Sequence, residues 1–214
     1  MAKSQKGGMK YGNLTLGQIE AGINKLGGEE AFLKLLRDEL SVSKPTCSWR
    51  EEDGIIYFSV TSDGTTGEDW IKRLESKGFR FSKWAKDVLN STDFKPTTGI
   101  MNNIAVLKGE LFKDSDRITK NIRNEADKRK LTTPNAEVAC LIREKFTDKE
   151  IEQMGFWYIV AMHEPINDSD GDPDLLRASR NDAGRWLYAY YDRPGHWWLR
   201  VGGFAFVASQ VPST

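Results

Sequence analysis

The chain has 214 residues, sets 31 Lys and Arg against 31 Asp and Glu, and is 29% charged. That balance removes any reason for strong, sequence-independent attraction to nucleic acid or to an anionic membrane, and the lack of a long apolar run excludes a transmembrane helix. The length suits one sizeable domain with an N-terminal appendage, and residues 1–8, polar and Gly-rich, lack the apolar segment of a secretory signal, so a cytoplasmic protein is expected.

Residues 14–26 carry apolar side chains at helical spacing and stop at Gly27-Gly28, and residues 29–40 repeat the pattern with Ala31, Phe32, Leu35, Leu36 and Leu40 on one side. The two predict a helical hairpin whose apolar side needs cover, from the rest of the chain or from another protein. Residues 41–53 are polar and include Pro45; the main domain boundary is placed there. Residues 55–60 form a β-prone run, closed by the turn-rich segment 61–67. Two helices follow, 68–77 with Trp70, Ile71 and Leu74, and 82–90 with a Ser82 cap.

Residues 104–109 read as a short strand. The highly charged stretch 114–130 spaces Ile118, Ile122 and Ala126 by four, a helix with one thin apolar stripe; Arg117, Lys120, Arg123, Lys128, Arg129 and Lys130 point either to phosphate contact or to an ordinary solvated face interrupted by Asp114, Asp116, Glu125 and Asp127. Further helices are predicted over 134–145 and from Thr147, with Gly155 as stop. Residues 156–162 are the most apolar run and read as a central buried strand. Strands over 175–179, 185–191 and 204–209 close the chain, joined by turn chemistry at 181–184 and 192–195.

Cys47 and Cys140 stand far apart with no CxxC or Cys/His grouping, and His163 and His196 are the only histidines. A disulfide framework, a zinc site and a Ser-His-Asp hydrolase are all disfavoured. His163-Glu164 sits at a strand end, but neighbours on extended chain point to opposite faces, a poor arrangement for acting on one substrate. The turn at 61–67 resembles an anion-binding helix start without Walker-type lysine or glycine spacing. The acidic loop 167–174 fails the EF-hand pattern, since Pro173 takes the glycine-demanding position; a non-EF calcium site and a solvated acidic turn remain as readings.

Alternation along residues 185–191 puts Trp186, Tyr188 and Tyr190 on one face and Arg185, Leu187, Ala189 and Tyr191 on the other, one of them core. Arg177, Arg180, Tyr191, Arg193, His196, Trp197 and Arg200 are more polar and aromatic than a core or a plain loop requires, a composition typical of binding faces.

The order of strand, two helices, variable middle and several late strands resembles the C-type lectin fold, in which first and last strands pair. Leu175-Leu176-Arg177-Ala178-Ser179-Arg180 followed by Gly203-Phe204-Ala205-Phe206-Val207 looks like the R-x-x-R…G-F-R ending of the formylglycine-generating-enzyme type of that fold, with Ala205 where the family often has Arg. The same ending occurs in variable proteins of diversity-generating retroelements, where a reverse transcriptase randomises template adenines on a ligand-binding face. No cysteine stands near the C-terminus, which argues against the sulfatase-activating enzyme, whose chemistry needs a thiol pair.

The expectation is therefore an α+β protein with an N-terminal helical segment over 1–45 and, over 46–214, a C-type-lectin-like mixed domain with antiparallel C-terminal strands and a helical insertion around 110–154. The resemblance implies a ligand-binding variable protein rather than an enzyme. Its binding residues are expected to be Arg177, Ser179, Asn181, Tyr188, Tyr191, Arg193, His196, Trp197 and Arg200, with no catalytic residue, metal or cofactor. The partner is a protein or other macromolecule, nucleic acid is not favoured and no membrane insertion is expected. The alternative is an enzyme using His163 and Glu164, or a nucleic-acid-binding module using the 114–130 helix.

Overall fold

The computed structural model describes residues 13–39, 48–181 and 184–208. The Gly-rich start, Pro45, Cys47, the tip of the 181–184 turn, Ser209 and the side chain of Asn181 lie outside the described residues. The chain divides into two compact units, Met1–Cys47 and Ser48–Thr214.

In the first unit, Thr15 starts α1 (Leu16–Lys25) with a reciprocal cap: its hydroxyl accepts from the Gln18 amide at 3.3 Å, and its own amide donates to Gln18 Oε1 at 2.9 Å. The helix cannot run on, because Gly27 and Gly28 take φ of 103° and 93°. α2 (Glu29–Leu36) follows.

The second unit runs β1 (Arg50–Glu52), β2 (Ile55–Asp63), α3 (Gly67–Ser76), β3 (Arg80–Phe81), α4 (Lys83–Asn90) and β4 (Thr98–Lys108). Two 3-10 turns, Gly109–Leu111 and Asp114–Asp116, lead into α5 (Thr119–Lys128), β5 (Leu131–Thr132), α6 (Glu137–Lys145) and α7 (Asp148–Gln153). The last strands are β6 (Tyr158–Ala161), β7 (Ile166–Asn167), β8 (Pro173–Asn181), β9 (Gly184–Tyr191) and β10 (Gly202–Ala208). One mixed sheet results, in the order β1-β2-β4-β10-β6-β8-β9-β3, with β5 pairing β10 and β7 pairing β8. β10–β6 and β9–β3 are parallel pairs; the other pairs on this path are antiparallel.

Period-two alternation splits this sheet into two buried faces. One face, with Ile56, Phe58, Val106, Ala205, Leu176, Ala178, Leu187 and Ala189, packs with Trp70 and Leu74 of α3, Val88 of α4, Ile142 of α6 and Ile151 of α7. The other, with Ile55, Leu107, Val160, Leu175, Phe204 and Phe206, is covered by Ile122 and Ala126 of α5 and by Trp198 from the loop before β10. Each large side chain fully withdrawn from water contributes about 1.5–3 kcal/mol, so these two clusters carry the unit's stability.

The α+β class holds, and two expectations change, the pairing of first and last strands and the start of the charged helix. First and last long strands do not pair, because β4 lies between β2 and β10. Within residues 110–154, α6 packs against β2, β6, β8 and β9, and β5 pairs with β10. The 114–130 helix starts only at Thr119, since Arg117 is buried and its guanidinium donates to the carbonyls of Gly109 and Phe112, which requires the turns before it.

Candidate ligand-binding face

Which face of β9 is core is decided by its neighbours. Leu187 pairs with Ala178 and Ala189 with Leu176, all four turned to the helical layer. Trp186, Tyr188 and Tyr190 must therefore point the other way, onto the side that α5 covers near the sheet centre but which opens toward the β9 edge. Across from them stand Ser179, Arg177 and Leu175 of β8, in register.

The rings form two groups, joined into a track by Arg177, which lies against Tyr188 and Tyr190. Trp186 stacks on Tyr188 at 5.0 Å and 18°, and Tyr190 lies 4.9 Å from His196, whose ring meets Trp198 edge-on at 4.4 Å. Trp198 is buried, donates from Nε1 to Thr119 Oγ1 at 2.9 Å and touches Phe204, so the track is rooted in the core. The loop that brings His196 there is fastened to α5 by main-chain bonds: the amides of Thr119 and Lys120 donate to the carbonyls of His196 and Pro194, and the Trp198 amide donates to the carbonyl of Arg117. Trp197 caps the same junction, its Nε1 donating to the Asp114 carbonyl at 2.8 Å while its ring stays half exposed.

Arg177 lies in the middle of this track. Its guanidinium carbon sits 4.8 Å from the Tyr158 ring, 5.3 Å from Tyr188 and 4.8 Å from Tyr190, and its Nε–H finds no acceptor. Burial pushes its pKa down, and Tyr158, Tyr190 and Tyr188 draw it back up. Cation–π contact is worth about 0.5–2 kcal/mol, whereas withdrawing an ion from water costs several kcal/mol. The tyrosines offset that cost only in part. His196 is also held below its ordinary pKa, by burial and then by Arg177 and Arg193, against Asp192, which leaves it neutral at pH 7.

The predicted binding residues divide accordingly. Arg177, Tyr188, His196 and Trp197 belong to the track or its rim, and Arg200 is exposed on the same loop. Ser179 faces this side but is buried at 5% exposure beneath Trp186, so it is floor rather than contact. Tyr191 turns away from Tyr188, and Arg193 leans over the Tyr191 ring at 4.8 Å and toward Asp172 at 3.5 Å. Tyr190, Tyr158 and Arg80, whose guanidinium lies 5.6 Å from the Trp186 ring, were not expected there. For Tyr190 the alternation was a sufficient signal once the aliphatic face is assigned to the core; for Tyr158 and Arg80, strand pairing far along the chain decides.

The other candidate sites resolve into structure. His163 is buried, its Nε2 accepting from the Leu176 amide at 2.9 Å and its Nδ1 lying 2.6 Å from the Glu164 carbonyl, so both ring nitrogens are engaged and the ring is neutral. Burial holds its pKa down at about 4. Arg117 is locked inside and Arg123 donates to the carbonyls of Met162 and His163 and to Asp192, which removes two of the six cations from the basic stretch. In the turn at 61–67, Thr66 caps α3 and Asp63 accepts from Thr65. In the acidic loop, Asp168 Oδ1 accepts from the amides of Asp170 and Asp172, and Asp170 faces Trp84 and Lys83. Asp174 is buried, and desolvation with the charges of Asp168 and Asp172 raises its pKa to about 7. Among the described residues no three His, Cys, Asp or Glu side chains gather to hold a metal, and no helix is long and apolar enough to cross a membrane.

No protein-family model, curated protein or solved structure matches this chain.

Proposed function

We propose that the chain is a ligand-binding protein that displays the Arg177–Tyr188–Tyr190 face and the 192–201 loop to a macromolecular partner, in the manner of the variable proteins of diversity-generating retroelements. The observation that carries this is the aromatic track around a carboxylate-free arginine, on strands whose opposite side is core. Rigid Tyr, Trp and Arg side chains supply large contact area with little rotamer entropy to lose. The C-type-lectin-like reading of the second unit rests on the Arg177-x-x-Arg180 and Gly203-Phe204 elements of β8 and β10.

The test is genetic. Neighbouring DNA should hold a near-copy of the codons for residues 175–207 together with a reverse transcriptase gene, with mismatches at template adenines. The mismatches should fall on Arg177, Tyr188, Tyr190, Arg193, His196, Trp197 and Arg200, while Leu187, Gly203, Phe204 and Phe206 match, because those side chains or their absence hold the strands together. Absence of any repeat in a complete genome, or mismatches spread equally over both sets, removes the diversification reading.

A further inference from the structure

Resting on that proposed face, we infer that Arg177 is the anchor for a carboxylate, and that the partner presents an acidic segment of a protein. The other arginines of this unit that are buried or half-buried meet carboxylates, among them Arg117 with Asp114 at 2.6 Å, Arg123 with Asp192 at 2.9 Å, Arg143 with Asp148 at 2.9 Å and Arg180 with Glu152 at 3.3 Å. Arg177 meets three tyrosine rings instead, and its Nε–H has no acceptor. The three rings crowd the guanidinium and its Nε is enclosed, whereas its two terminal nitrogens make no hydrogen bond or ion pair among the described residues, which leaves that end for a two-point bond, the geometry a carboxylate matches.

Charge on this side favours the same occupant. Among the described residues, the charged ones that β3, β8 and β9 place on the face are Arg80 and Arg177, while Arg180, Arg185 and Asp174 turn to the helical side. The carboxylate that follows β9, Asp192, is already held by Arg123. A nucleic acid would require a run of cations along a backbone track, and here Asp114 and Asp192 border the loop. Two cations, Arg177 and Arg80, set beside aromatic rings suit an Asp or Glu among apolar or aromatic neighbours on a protein partner.

The full chain is titrated with hexaglutamate, with hexalysine and a dT oligonucleotide as controls, following tryptophan fluorescence and the 15Nε resonance of Arg177. Hexaglutamate should bind saturably and shift that resonance, and R177Q should weaken binding at least tenfold with an unchanged melting temperature. R177K should fall between, since an ammonium keeps the charge without the fork. The wild-type resonance shift keeps the test valid even if R177Q misfolds. No saturable binding at millimolar peptide, equal binding by a folded R177Q, or tighter binding of the oligonucleotide at the same resonance overturns the inference. An adenine-mismatched repeat in the genome with no hexaglutamate affinity would leave the display reading standing and sink only the carboxylate anchor.

Discussion

At the scale of the residue, two buried titratable groups pull stability in opposite directions with pH. His163 ordinarily titrates at 6.5 and is held at about 4 in the fold, so the unfolded chain binds the extra proton between those values; its contribution is complete above pH 6.5 and is lost as pH falls toward 4. At roughly 1.4 kcal/mol per unit, the loss is on the order of 3 kcal/mol. Asp174 is raised from 3.8 to about 7, so the folded chain holds the extra proton, and stability falls as pH rises from about 4 to 7. Urea midpoints measured from pH 4 to 8 should show D174N gaining over the parent most at pH 8 and least at pH 4. H163Q should be less stable at pH 7, because the Leu176 amide loses its acceptor geometry, and should fall more steeply than the parent between pH 4 and 6.5, where the His163 gain no longer offsets the Asp174 loss. Identical pH profiles for parent and variants would contradict both assignments.

At the scale of the element, the face depends on how closely β10 lies against β6 and β4. A Cβ on Gly202 would sit 2.7 Å from the Tyr158 ring, and one on Gly203 would sit 2.7 Å from Val106. The Tyr158 ring is also the support under Arg177 and, through its hydroxyl, accepts from the Leu199 amide at 3.0 Å. Gly202→Ala should therefore cost about 1–3 kcal/mol by overpacking and also disturb the tyrosines around Arg177. Gly203→Ala should cost a comparable amount by pressing on Val106 and Phe156 while leaving that cluster in place. Calorimetry gives the stability of each, and the Arg177 15Nε shift separates them; equal shifts in both variants would show that Tyr158 does not transmit the strain.

At the scale of the whole molecule, every residue of both hydrophobic clusters lies in Ser48–Thr214, so that unit contains its own core. Expressed alone it should fold cooperatively, with a single calorimetric transition and dispersed amide resonances; a molten product would show that the core is incomplete. Most helices and the long strands were legible in the sequence, because caps such as Thr15-Gln18 and Thr147-Glu150, stops such as Gly27 and Gly78, and the two hydrophobic periods are local signals. The two-residue strands β3, β5 and β7 were not, since a strand that short exists only through the neighbour it pairs with. The split of residues 185–191 into two faces was likewise set by alternation alone. Which side meets water was decided only when β8 laid Ala178 and Leu176 beside Leu187 and Ala189 under the helical layer. Local sequence fixes the direction in which each side chain points, but whether that direction ends in core, in a partner charge or in solvent depends on residues brought in from far along the chain. For that reason Arg117, His163 and Ser179 became structure, while Tyr190 and the carboxylate-free Arg177 became the face.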